Sequence, residues 1–326
     1  MVDSNTHPEK DVLLSQDSFG DWEQFISEIV RILGLYQGAE IAIPGRDGKE
    51  THVVAVHIPY MLQTLSIIDD PDAFAKLAQR HQDRLLRVKA NRENAPEEVK
   101  QFLHEQFYNG DYERLVAQGR AGVDDIQRLL QAAVDQGLVP AEPDGYNLRT
   151  WLIHYGIGIE CSAFVQHALT QVVRSCYARM GAHPREYLGY EVGWLRSTTV
   201  YSRLTTDPPS SKRFENVRAA VDARPGDILT NNHHIRLVAR INAMSDGSAV
   251  FDLAESTSAR DIPKGREIEE NDIGPRMIQV QYLEPERPIC KQSPVQMGPE
   301  ERLIPGNDES SYILGRLKKL KWADGE

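Results

Sequence analysis

The chain has 326 residues, 40% of them hydrophobic and 26% charged, which gives a globular fold enough apolar material for a sizeable core. Its formal net charge of -11 works against nonspecific association with nucleic acid or an anionic membrane surface, since both would repel it. The start Met1-Val2-Asp3-Ser4-Asn5 is polar and has no apolar signal region. No apolar run approaches the roughly eighteen residues of a membrane span. The sequence therefore predicts a cytoplasmic protein, or one exported by a route that needs no cleaved signal, with neither a nucleic-acid nor a membrane partner.

In chain order, residues 1–18 are polar and expected to be disordered. From Asp21 to Tyr36 the apolar positions Trp22, Phe25, Ile26, Ile29, Val30, Ile32 and Leu33 recur with helical spacing. Ala39–Ile43 and His52–Ile58, separated by Pro44-Gly45-Arg46-Asp47-Gly48, read as a hairpin. Residues 72–91 and 96–107 read as charged amphipathic helices. Val123–Gln136 is another, ended by Gly137 and Pro140. Pro140-Ala141-Glu142-Pro143-Asp144-Gly145 is turn-rich and is taken as a boundary. It separates a mainly helical region, 19–140, from a second domain, 145–320. There a helix from Cys161 to about Met180 precedes short strands at Asp227–Thr230, His234–Ile241, Ala249–Ala254, Met277–Leu283 and Tyr312–Leu317. One helix followed by hairpin-linked strands predicts an α+β class, with the helix packed on an antiparallel sheet.

Three cysteines at wide spacing, Cys161, Cys176 and Cys290, supply no disulfide framework and suit a reducing compartment. Cys161 opens the helix in the run Gly158-Ile159-Glu160-Cys161-Ser162-Ala163-Phe164-Val165-Gln166. A helix start offers unpaired N–H groups and the positive end of the macrodipole, and both stabilise a thiolate. The competing reading is a small buried hydrophobe. Cys176 and Cys290 are assigned to structure. An imidazole partner comes from His233 or His234, which adjoin the strand Ile235-Arg236-Leu237-Val238; alternation does not choose between them. Adjacent strand positions diverge and no Cys or His partner stands at ligand spacing, so no metal is expected. The third member of a triad accepts the other imidazole N–H. Asp252 and Glu255 are the candidates, on opposite faces of the next strand, with Glu255 preferred.

These residues carry a family resemblance over roughly residues 145–320. Cys161-Ser162-Ala163-Phe164-Val165 resembles the Asp-Cys-Ser-Gly-Phe/Leu-Val motif of the NlpC/P60 cysteine peptidases, a papain-like group. Arg224-Pro225-Gly226-Asp227-Ile228-Leu229 is similar to that family's Pro-Gly-Asp-Leu-Val turn and strand. His234-Ile235-Arg236-Leu237-Val238 resembles its His-Val-Gly-Ile-Tyr strand, which singles out His234. Tyr155-Gly156 corresponds to its upstream Tyr-containing segment, and Leu253-Ala254-Glu255-Ser256 to the strand bearing its third polar residue. The resemblance implies a papain-like domain with Cys161, His234 and Glu255 as catalytic residues, cleaving an amide or peptide bond through a thioester. Its usual substrate is a cell-wall (peptidoglycan) peptide. The Cys-before-His order speaks against the circularly permuted lipid-acyltransferase branch. This chain departs from the motif at Glu160 for Asp, Ala163 for Gly and Arg236 for Gly. Those departures keep open a catalytically inactive binding or assembly protein, and the same dyad acting on an amine acceptor would make a thiol acyltransferase. Residues 19–140 are a candidate region for docking a protein partner.

Overall fold

The protein is described by a computed structural model over residues 12–14, 22–45, 50–61, 86–108, 119–141, 143–180, 214–217, 222–231, 234–243, 249–257, 274–282, 292–297, 300–305, 312–317 and 320–322. In chain order the elements are β1 (Val12–Leu14), α1 (Trp22–Gln37), β2 (Ala39–Pro44), β3 (Thr51–Val56), α2 (Glu97–Tyr108), α3 (Val123–Asp135), α4 (Gly145–Tyr155) and α5 (Cys161–Met180). Then come β4 (Phe214–Asn216), β5 (Ile228–Thr230), β6 (Ile235–Ala243), β7 (Ala249–Thr257), β8 (Gly274–Tyr282), β9 (Gln292–Met297), β10 (Glu300–Pro305), β11 (Ile313–Leu317) and β12 (Leu320–Trp322). Helices precede a mostly antiparallel set of strands, so the class is α+β. No helix among the described residues is long and apolar enough to cross a membrane. Where the polarity of residues 1–18 predicts disorder, the apolar triplet Val12–Leu14 forms a short strand paired in parallel with β12.

The chain forms two compact units: residues 1–30, 165–254 and 278–326 make the first, and 31–164 and 255–277 the second. The first is built on a sheet of strand order β4-β11-β5-β6-β7-β8-β10-β9. The pairs β4–β11, β11–β5, β5–β6, β6–β7 and β9–β10 are antiparallel, and β8–β10 is parallel. Leu229 stands opposite Leu314 on one side, and Val238 opposite Leu253. Cross-strand partners share a face, and these four join Val217, Phe251, Val280 and Tyr312 in one buried core. Full burial of each such side chain contributes about 1.5–3 kcal/mol.

The tight turn Arg224-Pro225-Gly226-Asp227 feeds this sheet. The Asp227 N–H donates to the Arg224 carbonyl at 3.0 Å, and Gly226 takes φ 93°. Proline at the second position and positive-φ glycine at the third are what a type II turn requires. The Gly226 N–H donates to the Val238 carbonyl and the Val238 N–H to the Asp227 carbonyl, both at 2.8 Å, which fastens the turn to β6.

The second unit pairs β2 with β3 as the antiparallel hairpin that the sequence predicts. α3 buries Ile126, Leu129, Leu130, Ala133 and Val134 along one stripe. Its Gln131 amide binds both the N–H and the carbonyl of Ala42, at 2.8 and 2.9 Å, which docks the helix on β2. α4 begins at the end of the turn-rich break, in a stretch for which the sequence predicts no element. Asp144 caps its start by accepting from the Asn147 N–H, and Gly156 closes its end in the left-handed conformation at φ 72°. Residues 140–145 fall within this unit.

Candidate active site

Cys161 belongs to the second unit and is the first residue of α5, 5% exposed. The approach to it is held on several sides. Ile159 bridges in parallel to Tyr60, its N–H donates to the Pro59 carbonyl at 3.0 Å, and the Met61 N–H donates to the Ile159 carbonyl at 3.3 Å. A Cβ at Gly158 would overlap the Pro59 carbonyl oxygen, so the chain comes this close only because residue 158 is glycine.

Glu160 takes the cap position of α5: its carbonyl accepts the Phe164 N–H at 3.0 Å. Its buried carboxylate pairs with Arg120 Nη1 and accepts from Ser162 Oγ at 2.7 Å. Arg120 Nη1 also reaches Ser162 Oγ at 3.3 Å, and the Glu160 N–H donates to the Gly119 carbonyl at 2.8 Å. The two residues flanking the thiol are therefore tied to each other and to the 119–120 segment. Burying a carboxylate is costly unless a cation and hydrogen bonds compensate it, and Arg120 with Ser162 supplies both.

Glu255, fully buried on β7, also belongs to the second unit and has its own arginine. Arg276 Nε donates to Glu255 Oε1 at 2.8 Å, and Nη2 lies 2.7 Å from the same oxygen. Next to it, Ser256 Oγ donates to the Ile159 carbonyl at 2.9 Å, so the stretch bearing Glu255 is joined to the one leading to Cys161. Asp252, the other carboxylate candidate, is in the first unit. It accepts from Gln279 Nε2 at 2.8 Å and lies 4.0 Å from Arg240 Nε.

His234 is in the first unit, 4% exposed, where the β5–β6 hairpin closes. Its N–H donates to Asn231 Oδ1 at 2.7 Å, and its carbonyl accepts from the Asn231 N–H at 3.0 Å and Thr230 Oγ1 at 3.1 Å. Arg236, two residues on, is buried with its guanidinium 4.8 Å from the Tyr312 ring centroid. His233 and Cys290 lie outside the described residues; Cys176 is on α5, with its side chain outside them. Tyr155 ends α4 against Trp151, and burial pushes its phenol above the ordinary range. Among the described residues, no group of three or more His, Cys, Asp or Glu side chains is placed to hold a metal ion.

Sequence patterns alone miss Arg120 and Arg276. Gly119 is a signal for the first, because it holds φ 66° beside Met61 and Glu160, in the Gly119-Arg120-Ala121-Gly122 stretch. Nothing in the sequence marks Arg276. Comparison with protein-family models, curated proteins and solved structures gives no match.

Proposed function

We propose that this chain is a papain-like thiol hydrolase that cleaves an amide or peptide bond, with Cys161 as nucleophile, His234 as proton carrier and Glu255 as the orienting carboxylate. The observation that carries the reading is the placement of Cys161 at the first position of a 20-residue helix. Its neighbour Glu160 is neutralised by Arg120, and Ser162 is hydrogen-bonded to both. A thiol at a helix start is the usual setting of a reactive cysteine. The order of Cys helix, Pro-Gly-Asp turn, His strand and Glu strand is a second support.

In the proposed reaction the Cys161 thiolate adds to the substrate carbonyl carbon, and N–H groups at the start of α5, Cys161's among them, receive the oxyanion. The His234 imidazolium passes its proton to the departing amine as the C–N bond breaks. This leaves a thioester and a neutral imidazole. Water then adds to the thioester, giving its proton to His234, and the acid product leaves as the thiolate returns. The chemistry needs no metal or organic cofactor, and a peptidoglycan fragment is one substrate of the right class.

A second reading is a binding or assembly protein on a related fold. The ion pair that Arg276 makes with Glu255 and the bulk of Arg236 two residues from His234 favour it. Iodoacetamide labelling of Cys161, read by mass spectrometry in the wild type and in His234→Ala, separates the two. The hydrolase reading expects rapid labelling at about pH 6 that is lost in the variant. Slow labelling in both, rising only toward about pH 8.5 as for an ordinary thiol, removes the dyad and leaves the binding protein.

A further inference from the structure

In the second unit the two edges of the β2–β3 hairpin are treated differently. The outer edge of β2 is covered by α3. The Gln131 amide takes both the N–H and the carbonyl of Ala42, at 2.8 and 2.9 Å, and Gln127 Nε2 donates to the Glu40 carbonyl at 2.6 Å. The backbone groups of Glu40 and Ala42 therefore point away from β3. In an antiparallel ladder the residues opposite them must point away as well. Those residues are Ala55 and Val53, and Thr51, opposite Pro44, continues the alternation. The outer edge of β3 thus carries the N–H and carbonyl groups of Thr51, Val53 and Ala55. A Cβ at Gly145 would overlap the Ala55 carbonyl oxygen, so the start of α4 covers the edge at Ala55.

At Thr51 and Val53 the edge stays open. Among the described residues no group hydrogen-bonds their outward N–H and carbonyl groups. Thr51, His52 and Val53 are exposed, Val53 to 62%, and Tyr146 beside Gly145 is exposed to 58%. Sheets usually guard such an edge with a Lys, a Pro or a bulge, and Thr51-His52-Val53 has none of them. An open edge recognises extended backbone, and β3 itself is complementary to it. Two copies of β3 laid antiparallel about a two-fold axis at His52 set Thr51 of each opposite Val53 of the other. Every outward backbone group of both residues then finds a partner. Glu50 of each copy falls opposite Val54 of the other, not opposite a carboxylate. It lies diagonal to the other copy's His52, within reach of an imidazole N–H. An axis at Val53 would instead bring Thr51 against Ala55, where Gly145 already sits.

We infer that the chain self-associates as a two-fold dimer through antiparallel pairing of β3 with β3 of a second copy, centred on His52. The open edge is short, so the dimer is weak and concentration-dependent, at the small end of protein interfaces. None of these residues is assigned a role in the proposed hydrolysis, and the inference stands apart from that reading.

The test is sedimentation velocity of the full chain from about 10 to about 500 μM, the range in which a weak dimer forms. The mass should rise from monomer toward dimer. Val53→Pro removes an N–H that β2 does not use, and proline is tolerated at such an edge position. It should stay monomeric throughout, with an unchanged circular-dichroism melt. His52→Cys provides a second measurement that needs no proline. Across the axis its Cα atoms would lie about 4.5 Å apart, within disulfide reach. Under mild oxidation it should give crosslinked dimer at least about tenfold faster than Glu40→Cys, at an exposed position on the covered edge. A monomer at every concentration would overturn the inference and leave the edge to an extended segment of another protein. A dimer that persists in Val53→Pro with its melt unchanged would place the interface elsewhere and overturn it too. Where Val53→Pro lowers the melt, crosslinking decides: equal rates for His52→Cys and Glu40→Cys would overturn it.

Discussion

Glu160 is an informative residue, because it occupies a helix cap with a side chain that does another task. Asp or Ser at a cap turns its oxygen onto the first free N–H groups. Glu160 instead sends its carboxylate to Arg120 and Ser162. Removing only the cation strands a carboxylate that is 8% exposed, and such half-broken buried pairs cost about 3–5 kcal/mol. Arg120→Met should therefore lower the denaturant midpoint strongly, and adding Glu160→Gln should recover most of the loss. If the double variant is as unstable as the single, packing rather than charge explains Arg120. Tyr36 allows a pH prediction at the same scale. Burial raises its phenol far above the ordinary value, partly offset by a hydrogen bond from Val123. The folded chain holds this proton more tightly than the unfolded one. Its contribution is therefore full below about pH 10, the unfolded phenol value, and declines as pH climbs past it. In Tyr36→Phe this component of the alkaline fall should vanish from a series of melts, for about 1 kcal/mol lost near neutrality with the hydrogen bond.

At the scale of elements, local signals in the sequence go far. The 3.6-residue period locates α1, α3 and α5 to within a residue or two, and the Pro-Gly pair marks the turn that enters β5. α4 is hidden because its buried stripe includes Arg149, whose Nη1 donates to the His57 carbonyl at 2.8 Å, so polarity no longer reports the inner face. The site is legible to the same degree. Cys161 announces itself by its neighbours. The arginines that hold Glu160 and Glu255 come from 40 and 21 residues away, and a charged side chain in the sequence carries no mark of burial. The turn supplies this scale's prediction. Gly226 at φ 93° has a backbone that an L side chain enters only under strain, and two hydrogen bonds to β6 depend on it. Gly226→Ala should destabilise by about 1 kcal/mol or more, read as a lower denaturant midpoint. An unchanged midpoint would mean that the turn relaxes freely.

Across the whole molecule, the two units are not consecutive beads. The chain passes from one to the other inside α1, α5, β7 and β8, not through linkers. In α5 the division falls between Phe164 and Val165, so the helix's i to i+4 hydrogen bonds run through it. Melting one unit alone would truncate these elements, and the short remnants, such as the part of α1 on either side of its division, are unstable in water. The free energies of the units are therefore tied, and unfolding should be a single transition. The check is to follow denaturation by far-ultraviolet circular dichroism and by tryptophan fluorescence, in a chain whose Trp22, Trp194 and Trp322 are replaced by Phe so that Trp151 is the reporting indole. Among the described side chains, Trp151 reports on the second unit. Arg316, which lies 2.8 Å from the buried Asp227 carboxylate, belongs to the first. Arg316→Met, made in the first unit, should shift the fluorescence transition and the dichroism transition by the same amount. A Trp151 signal that stays in place while the dichroism midpoint falls would show that the shared elements fray at the division and that the two units melt separately.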